Sequence, residues 1–271
     1  MQIYQGIILG IIQGLTELLP ISSSAHLFLI PWFFKWQIPE AFDVALHFGT
    51  LLAIGIFFFK DWINLIKGGY EQVIKKKKNS EGKMFWYIVI ATIPGGIIGF
   101  ILDKYAENLL TQPVIIAIAL IVMGITLYLV DKKAKNKTEY EKLTFKQTFI
   151  VGLSQALAFI PGVSRSGITM TTGRALGIKR EAVAKYSFML SAPIVLAATV
   201  FKLKDFIEYF LIADITGIIS FITGVAVSFI VGIFVIKFLL EYLKKGSFKI
   251  FAIYRIIIGI LVIIIYATRM L

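Results

Sequence analysis

Long uninterrupted apolar runs constrain this chain more than any other feature. A run such as "YIVIATIPGGIIGFIL" at 87–102 shows no alternation of polar and apolar residues. It therefore predicts a helix that crosses a membrane, and argues against a strand of a membrane β-barrel. The whole chain is 58% hydrophobic, with a mean hydropathy of +0.84, which is outside the range of ordinary soluble domains. We therefore predict an all-α polytopic membrane protein.

Six of the apolar runs are long enough to cross a bilayer. They lie at 44–59, 84–102, 113–130, 186–201, 215–236 and 250–268. Two further apolar regions are interrupted: 3–36 by Pro20 and a serine run, and 148–178 by "PGVSRSG". Each is predicted to form a broken, re-entrant hairpin, in which two short helices meet at a polar turn and leave on the side they entered.

The distribution of basic residues predicts an orientation. The loops at 60–83, 131–147, 174–185 and 237–249 hold 21 of the Lys and Arg residues, and the opposite side holds 5. The positive-inside rule places these loops in the cytoplasm and both termini outside. "KKKKNS" at 75–80 is then a cytoplasmic loop near anionic lipid headgroups. The net charge of +12 consequently indicates a membrane partner, and we expect no binding of nucleic acid.

The two interrupted regions resemble each other. "GIIQGLTELLPISSSAH" from Gly10 and "GLSQALAFIPGVSRSG" from Gly152 share Gly-x-x-Gln, an apolar stretch, a proline and a serine-rich turn. A spacing of 141 residues pairs Pro20 with Pro161 and Ser23 with Ser164, with one residue of slip before the proline. We predict one membrane domain over 1–271, with repeats at about 1–130 and 146–271 joined by the basic loop 131–147. Three crossings after each hairpin would invert the second repeat and bring the polar turns together near the midplane.

Few ionisable residues lie at membrane depth in this parse, and each needs a partner or a watery cavity. They are Glu17, His26, His47, Arg165 and Arg255. For His47 a hydrogen-bonded core position is favoured, and for Arg255 a structural or snorkelling role. The absence of cysteine excludes thiolate and iron–sulfur chemistry.

The first polar turn combines a carboxylate with hydroxyl groups. Gln13 and Glu17 are four residues apart and share a helix face. Ser22, Ser23 and the backbone N–H groups freed after the proline can form a neutral cradle for an anion. The serines are equally typical of a helix N-cap, in which case His26 would be incidental.

The second polar turn supplies a cation. Ser164, Arg165 and Ser166 lie between Gly162 and Gly167, with Thr169 shortly after. Glycines allow close approach of a ligand, and the arginine fork matches phosphate oxygens. Alternatively, Arg165 only pairs with Glu17 and locks the hairpins. A carboxylate, hydroxyls, an imidazole and a guanidinium together favour phosphoryl transfer, whereas a lipid flippase would use the same cradle without an attacking group.

With "QGLTELLPISSSAH" and "PGVSRSG", the chain resembles the bacterial undecaprenyl-diphosphatases, historically called bacitracin-resistance proteins. The resemblance covers nearly the whole chain, including the late "YRIIIG". It implies an inverted-repeat enzyme of the bacterial plasma membrane that hydrolyses undecaprenyl pyrophosphate to the monophosphate and inorganic phosphate, recycling the lipid carrier of cell-wall synthesis. It also implies a divalent metal, Mg²⁺ or Ca²⁺, and a site that opens to the outer face. We also expect a possible homodimer.

The resemblance assigns roles to individual residues. Glu17 matches the second acid of the family's Glu/Gln-x-x-x-Glu element, a metal-binding or catalytic carboxylate. Gln13 stands where many members have the first acid, and as an amide it can ligate a metal through its oxygen but cannot act as a base. Ser23 is expected to be the nucleophile, with His26 as proton donor and acceptor, although His26 or water as nucleophile stays open. The pyrophosphate-binding set comprises Ser22, Ser164, Arg165, Ser166, Gly167 and Thr169, with Arg165 also counted as catalytic.

Overall fold

The fold is described by a computed structural model that covers residues 1–77, 79–103 and 112–270. Over these ranges the chain forms twelve α-helices and no β-strand. In chain order they are α1 (Ile3–Thr16), α2 (Ser23–Phe34), α3 (Glu40–Phe57), α4 (Phe59–Ile74), α5 (Ser80–Asp103), α6 (Pro113–Lys133), α7 (Phe145–Ser154), α8 (Arg165–Ala175), α9 (Arg180–Phe201), α10 (Leu203–Ile212), α11 (Ile215–Lys245) and α12 (Lys249–Met270). Among the described residues, α3, α6, α9, α11 and α12 are long and apolar enough to cross a membrane. The all-α polytopic class is confirmed.

Five of the six predicted crossing runs fall within single helices, and the run 44–59 continues past the end of α3 at Phe57 into the start of α4. Two further helices were not predicted. α4 occupies much of the expected loop at 60–83, and α10 follows directly after α9. Both helices have charged residues spaced along an otherwise apolar sequence. Their pattern is that of an amphipathic helix, and a search for continuous apolar runs does not detect it. Lys78 and Lys104, two of the basic residues in the orientation argument, lie outside the described residues.

Two pairs of short helices meet at polar turns, as the interrupted regions predicted. α1 ends at Thr16 and α2 begins at Ser23. α7 continues as a 3₁₀ segment, Gln155–Phe159, before a turn that leads into α8. Within each pair the two helices contact each other.

Small residues let these short helices pack tightly on long ones. A Cβ atom added to Gly6 of α1 would lie 2.3 Å from the Ser220 carbonyl oxygen of α11. Correspondingly, a Cβ on Gly152 of α7 would lie 2.3 Å from the Ala91 carbonyl oxygen of α5. Close backbone approach at small residues is how helices associate in a bilayer, where apolar burial drives association only weakly.

Arg255 of α12 joins the two polar turns. Its Nη1 donates to the Pro20 carbonyl at 3.0 Å, and its Nη2 donates to the carbonyls of Gly162 at 2.7 Å and Val163 at 2.9 Å. The side chain is fully buried. The prediction of a structural role for Arg255 is therefore confirmed, and the alternative prediction, that its side chain snorkels to the membrane surface, is wrong.

Candidate active site

The two polar turns start their helices in the same way. Ser22 and Ser164 are N-caps with left-handed backbone angles, φ 76° and 73°. Each Oγ accepts from the N–H three residues on, and each lies 3.2 Å from the hydroxyl two residues on, Ser24 or Ser166. The helix starts therefore pair Ser22 with Ser164.

This pairing corrects the register inferred from the prolines by one residue. The spacing is 142 residues, and it also relates Gln13 to Gln155 without any slip. Pairing Ser23 with Ser164 was wrong because the helix start, and not the proline, determines which backbone groups are free. Ser23 consequently corresponds to Arg165, and both are the first residues of their helices.

Glu17 brings the two turns together. Its Oε2 accepts from the Ser23 hydroxyl at 2.5 Å, and its Oε1 accepts from Nη2 of Arg165. The carboxylate is buried, with 5% of the residue exposed. The pairing of Arg165 with Glu17 therefore occurs, and it places the guanidinium and the Ser23 hydroxyl on opposite oxygens of one carboxylate.

His47 of α3 completes this cluster. Its Nε2 lies 3.2 Å from Oε2 of Glu17, and its Nδ1 lies 2.7 Å from the Asp43 carbonyl oxygen. The Nε2 atom therefore faces the carboxylate and the Nδ1 atom faces a carbonyl oxygen, which fixes the orientation of the ring beside Glu17. The expected core histidine is indeed hydrogen-bonded, but it lies in the site, which sequence reasoning missed.

His26 is held away from this cluster. Its Nδ1 contacts the Ser22 carbonyl oxygen at 2.7 Å, and its Nε2 contacts the Tyr254 hydroxyl at 2.8 Å. The Ser23 hydroxyl is hydrogen-bonded to Glu17 instead. Proton transfer by His26 stays a prediction, while the geometry presents Glu17 as the base already in contact with Ser23.

A cavity of about 260 Å³ opens at the cluster. Its polar wall consists of Glu17, Ser23, Ser24, His47, Gln155, Ser164 and Arg165. Ser24 and Gln155 were not among the predicted site residues. The only sequence signal for Gln155 was the Gly-x-x-Gln element that the two hairpins share.

Four predicted substrate-binding residues hold the turns and do not line this cavity. Ser22 caps α2, and the Gly167 N–H donates to the Ser164 hydroxyl that caps α8. The Ser166 hydroxyl donates to the Leu19 carbonyl at 3.0 Å. The Thr169 hydroxyl donates to the Arg165 carbonyl at 2.8 Å. Of the predicted set, Ser164 and Arg165 are the members that face the cavity.

The donor atoms can be tested against the divalent metal that the resemblance implies. Gln13 is fully buried, its Nε2 donates to Glu17 at 3.2 Å, and its Oε1 has no partner. In the described part of the chain there is no group of three or more His, Cys, Asp or Glu residues that could hold a metal. Mg²⁺ usually takes one or two protein carboxylates and completes its shell with phosphates and water, so Glu17 and the Gln13 amide oxygen would supply part of such a shell. The divalent metal stays a prediction.

The fold and the site together define an integral membrane protein with a buried carboxylate–hydroxyl–guanidinium cluster. Residues 6–261 match the family described as "Bacitracin resistance protein BacA". The chain belongs to this family, which confirms the resemblance.

Curated relatives match over nearly their whole length and are named undecaprenyl-diphosphatase. The protein from Pelotomaculum thermopropionicum is 49% identical over 270 residues, covering 99% of this chain and 98% of its own. The protein from Caldicellulosiruptor bescii is 46% identical over 271 residues, covering 99% of each chain. The protein from Moorella thermoacetica is 43% identical over 270 residues, covering 99% of this chain and 100% of its own.

Proposed function

We propose that this protein is an integral membrane phosphatase that hydrolyses undecaprenyl pyrophosphate to undecaprenyl phosphate and inorganic phosphate. The observation that carries the proposal is the contact of Glu17 with both the Ser23 hydroxyl and the Arg165 guanidinium at one cavity. A nucleophile, a base and a cation are thereby assembled within hydrogen-bond reach. The identity of the lipid substrate is inferred from membership of the BacA family and from relatives named undecaprenyl-diphosphatase.

An apolar groove adjoins the polar cavity and suits the prenyl chain. The groove has a volume of about 340 Å³ and is lined by residues of α5 and α9. It shares Val44, Phe159, Ile194 and Ala198 with the polar cavity, so the two lie side by side. A lipid diphosphate can therefore keep its chain in apolar surroundings while its headgroup reaches Arg165.

In the proposed reaction, Ser23 attacks the terminal phosphorus. A bond forms from Oγ to phosphorus while the bond to the bridging oxygen breaks, and Glu17 takes the hydroxyl proton. Undecaprenyl phosphate leaves as the anion and needs no proton. A water oxygen then bonds to phosphorus while the bond from Oγ to phosphorus breaks, Oγ takes a proton from this water, and inorganic phosphate is released. Glu17 gives the proton from the first step to solvent, which restores the site.

The remaining polar groups stabilise charge in this reaction. Arg165 can leave Oε1 of Glu17 for the equatorial phosphoryl oxygens, and the Ser164 hydroxyl lies on the same wall. Gln13 and Glu17 would hold a divalent cation, Mg²⁺ or Ca²⁺, which would neutralise phosphate charge when bound. His47 contacts the same carboxylate through Nε2 and so helps to hold it in position.

The two halves are proposed to be inverted repeats. The matching caps at Ser22 and Ser164 support this arrangement, as does the exchange of contacts in which α1 packs on α11 while α7 packs on α5. The charge asymmetry supports cytoplasmic lysine-rich loops and a site that opens to the outer face of the plasma membrane. Homodimer formation stays an expectation.

The test is phosphate release from undecaprenyl pyrophosphate by purified protein in detergent, with Mg²⁺, with Ca²⁺ and with chelator. We expect metal-dependent release that is lost in Glu17→Ala. A His26→Ala variant assigns the role of that residue: retained release would exclude it as the proton carrier. Absence of release from folded wild-type protein would overturn the phosphatase and leave lipid transport through the same cavity as the better account.

A further inference from the structure

Gln155 is a buried polar side chain without a partner. It begins the 3₁₀ segment after α7, and 2% of the residue is exposed. Neither its Nε2 nor its Oε1 has a hydrogen-bond partner among the described residues, and the side chain lines the polar cavity. A buried amide in this condition costs free energy unless a ligand satisfies it.

The counterpart of Gln155 shows what is missing. Gln13 donates to Glu17, four residues further along α1. Four residues after Gln155, at the same spacing of 142 residues from Glu17, the chain has Phe159. The Nε2 of Gln155 therefore lacks the anionic acceptor that the Nε2 of Gln13 has, and an anion in the cavity would take that place.

The surroundings of Gln155 locate it at the boundary between the polar cavity and the apolar groove. It packs on Gly95 of α5, where an added Cβ would lie 3.2 Å from the Gln155 Cβ and 3.5 Å from its Nε2. Gly95, Phe159 and Ile194 all line the apolar groove. Glu17, which is bonded to Ser23 and Arg165, instead marks the reacting part of the cavity.

We propose that the Gln155 side chain binds the phosphate that carries the prenyl chain, with Nε2 donating to a non-bridging oxygen. The inference rests on the proposed function, because it takes the substrate to be a prenyl diphosphate. The phosphate next to the groove is the one the lipid product keeps. Gln155 therefore binds substrate and lipid product alike, and contributes nothing to the binding of inorganic phosphate.

The test compares two ligands on Gln155→Met, which keeps the length of the side chain and removes its amide. Calorimetry in detergent would measure farnesyl phosphate, a short prenyl monophosphate, and inorganic phosphate. Loss of one hydrogen bond to a charged group should weaken farnesyl phosphate binding by roughly 10-fold or more. Inorganic phosphate affinity should stay unchanged. With the diphosphate, KM should rise by a similar factor at nearly constant kcat, as expected for uniform binding.

Two further variants separate binding from a structural role. Gln155→Met should raise the thermal unfolding temperature, since it removes an unsatisfied buried amide, whereas a structural glutamine would lower it. Gln155→Glu should weaken farnesyl phosphate more than Gln155→Met, because a carboxylate repels the phosphate. Gln72→Met is the matched control: its amide oxygen on α4 is also unpaired, but Gln72 does not line the cavity, so both affinities should be preserved.

The outcomes distinguish this inference from the proposed function. Equal weakening of both ligands, or unchanged farnesyl phosphate affinity in Gln155→Met and Gln155→Glu, would overturn the inference even if the wild type hydrolyses the diphosphate. Selective loss of farnesyl phosphate affinity would support it even if no hydrolysis were found, since binding is measured without turnover.

Discussion

The two polar turns have the same backbone conformation at their helix starts but carry different charged side chains. Both begin a helix at a serine with left-handed angles, and both use its hydroxyl as the cap. At the corresponding positions the first half has Glu17 and Ser23, and the second has Phe159 and Arg165. One half thus contributes the acid and the nucleophile, and the other contributes the cation and an apolar ring.

This division of charge solves a problem of burial. A lone charge at membrane depth costs several kcal/mol on insertion scales, and two like charges in one cavity would cost more. Glu17 on one turn and Arg165 on the other neutralise each other. Because each half carries only part of the set, neither half alone makes a reactive site.

Removing the cation should have the largest effect. Arg165→Ala deletes the group that stabilises phosphoryl charge and leaves Glu17 paired only with His47, so kcat/KM should fall by roughly 1,000-fold or more. Phosphate-release kinetics would measure the loss, and Arg165→Lys, which keeps a charge but not the planar fork, should recover part of it. Near-normal turnover in Arg165→Ala would mean that the second turn contributes no charge to the reaction.

Removing the nucleophile from the first turn should come next. Ser23→Ala should lower kcat by roughly 100-fold to 1,000-fold while protein stability changes little, because Ser23 is bonded to Glu17 and caps no helix. Ser24→Ala, which alters a neighbouring hydroxyl on the same cavity wall, should cost only a few-fold, in keeping with a weak polar contact. If the two variants behaved alike, water would be the better candidate for the attacking group.

Giving the second turn the acid of the first should weaken the enzyme moderately. Phe159→Glu would offer a carboxylate to Gln155 and add a negative charge beside the diphosphate, so KM should rise by roughly 10-fold to 100-fold. Phe159→Leu keeps the position apolar and is the control, with a KM close to that of the wild type. An equal rise in both variants would point to packing of the phenyl ring instead of charge.

Restoring a second acid on the first turn should have the smallest effect on turnover. Gln13→Glu adds a carboxylate beside Glu17, which should lower the Mg²⁺ concentration for half-maximal activity by roughly 10-fold. A Mg²⁺ titration of initial rates would measure this shift, with Gln13→Ala as the comparison. An unchanged titration in Gln13→Glu would place the metal away from α1.

Much of the fold could be predicted because apolar runs and helix-breaking turns are local features. The two helices that were not predicted, α4 and α10, are amphipathic, and a prediction based on continuous apolar runs assigns such segments to loops. The meeting of Glu17 with Arg165 was one of the alternatives considered, since a buried acid requires a cation. His47 could not be assigned to the site, because its contact with Glu17 depends on how α3 packs, which no local spacing encodes.

The sequence contains the information needed to align the two turns and to single out Gln155, but more visible features led to a different alignment. The prolines are the most visible landmarks, and they align one residue away from the helix starts. Gln13 and Gln155 were noticed as parts of a shared element, yet their different partners depend on Glu17 and Phe159 four residues later. The difference between Glu17 and Phe159 becomes visible only when the two turns are aligned by their helix starts, one residue away from the alignment by prolines.

Arg255 joins the turns through hydrogen bonds to the main-chain carbonyls of Pro20, Gly162 and Val163. The contacts use main-chain atoms, but two glycines are still required: Gly162 has a φ of 94°, and a Cβ on Gly167 would lie 2.6 Å from Nη1 of Arg255. Substitutions at other positions of the two turns can change what the cavity recognises while the hydrogen bonds of Arg255 stay in place. The same junction would serve as a scaffold on which directed evolution could install a different specificity.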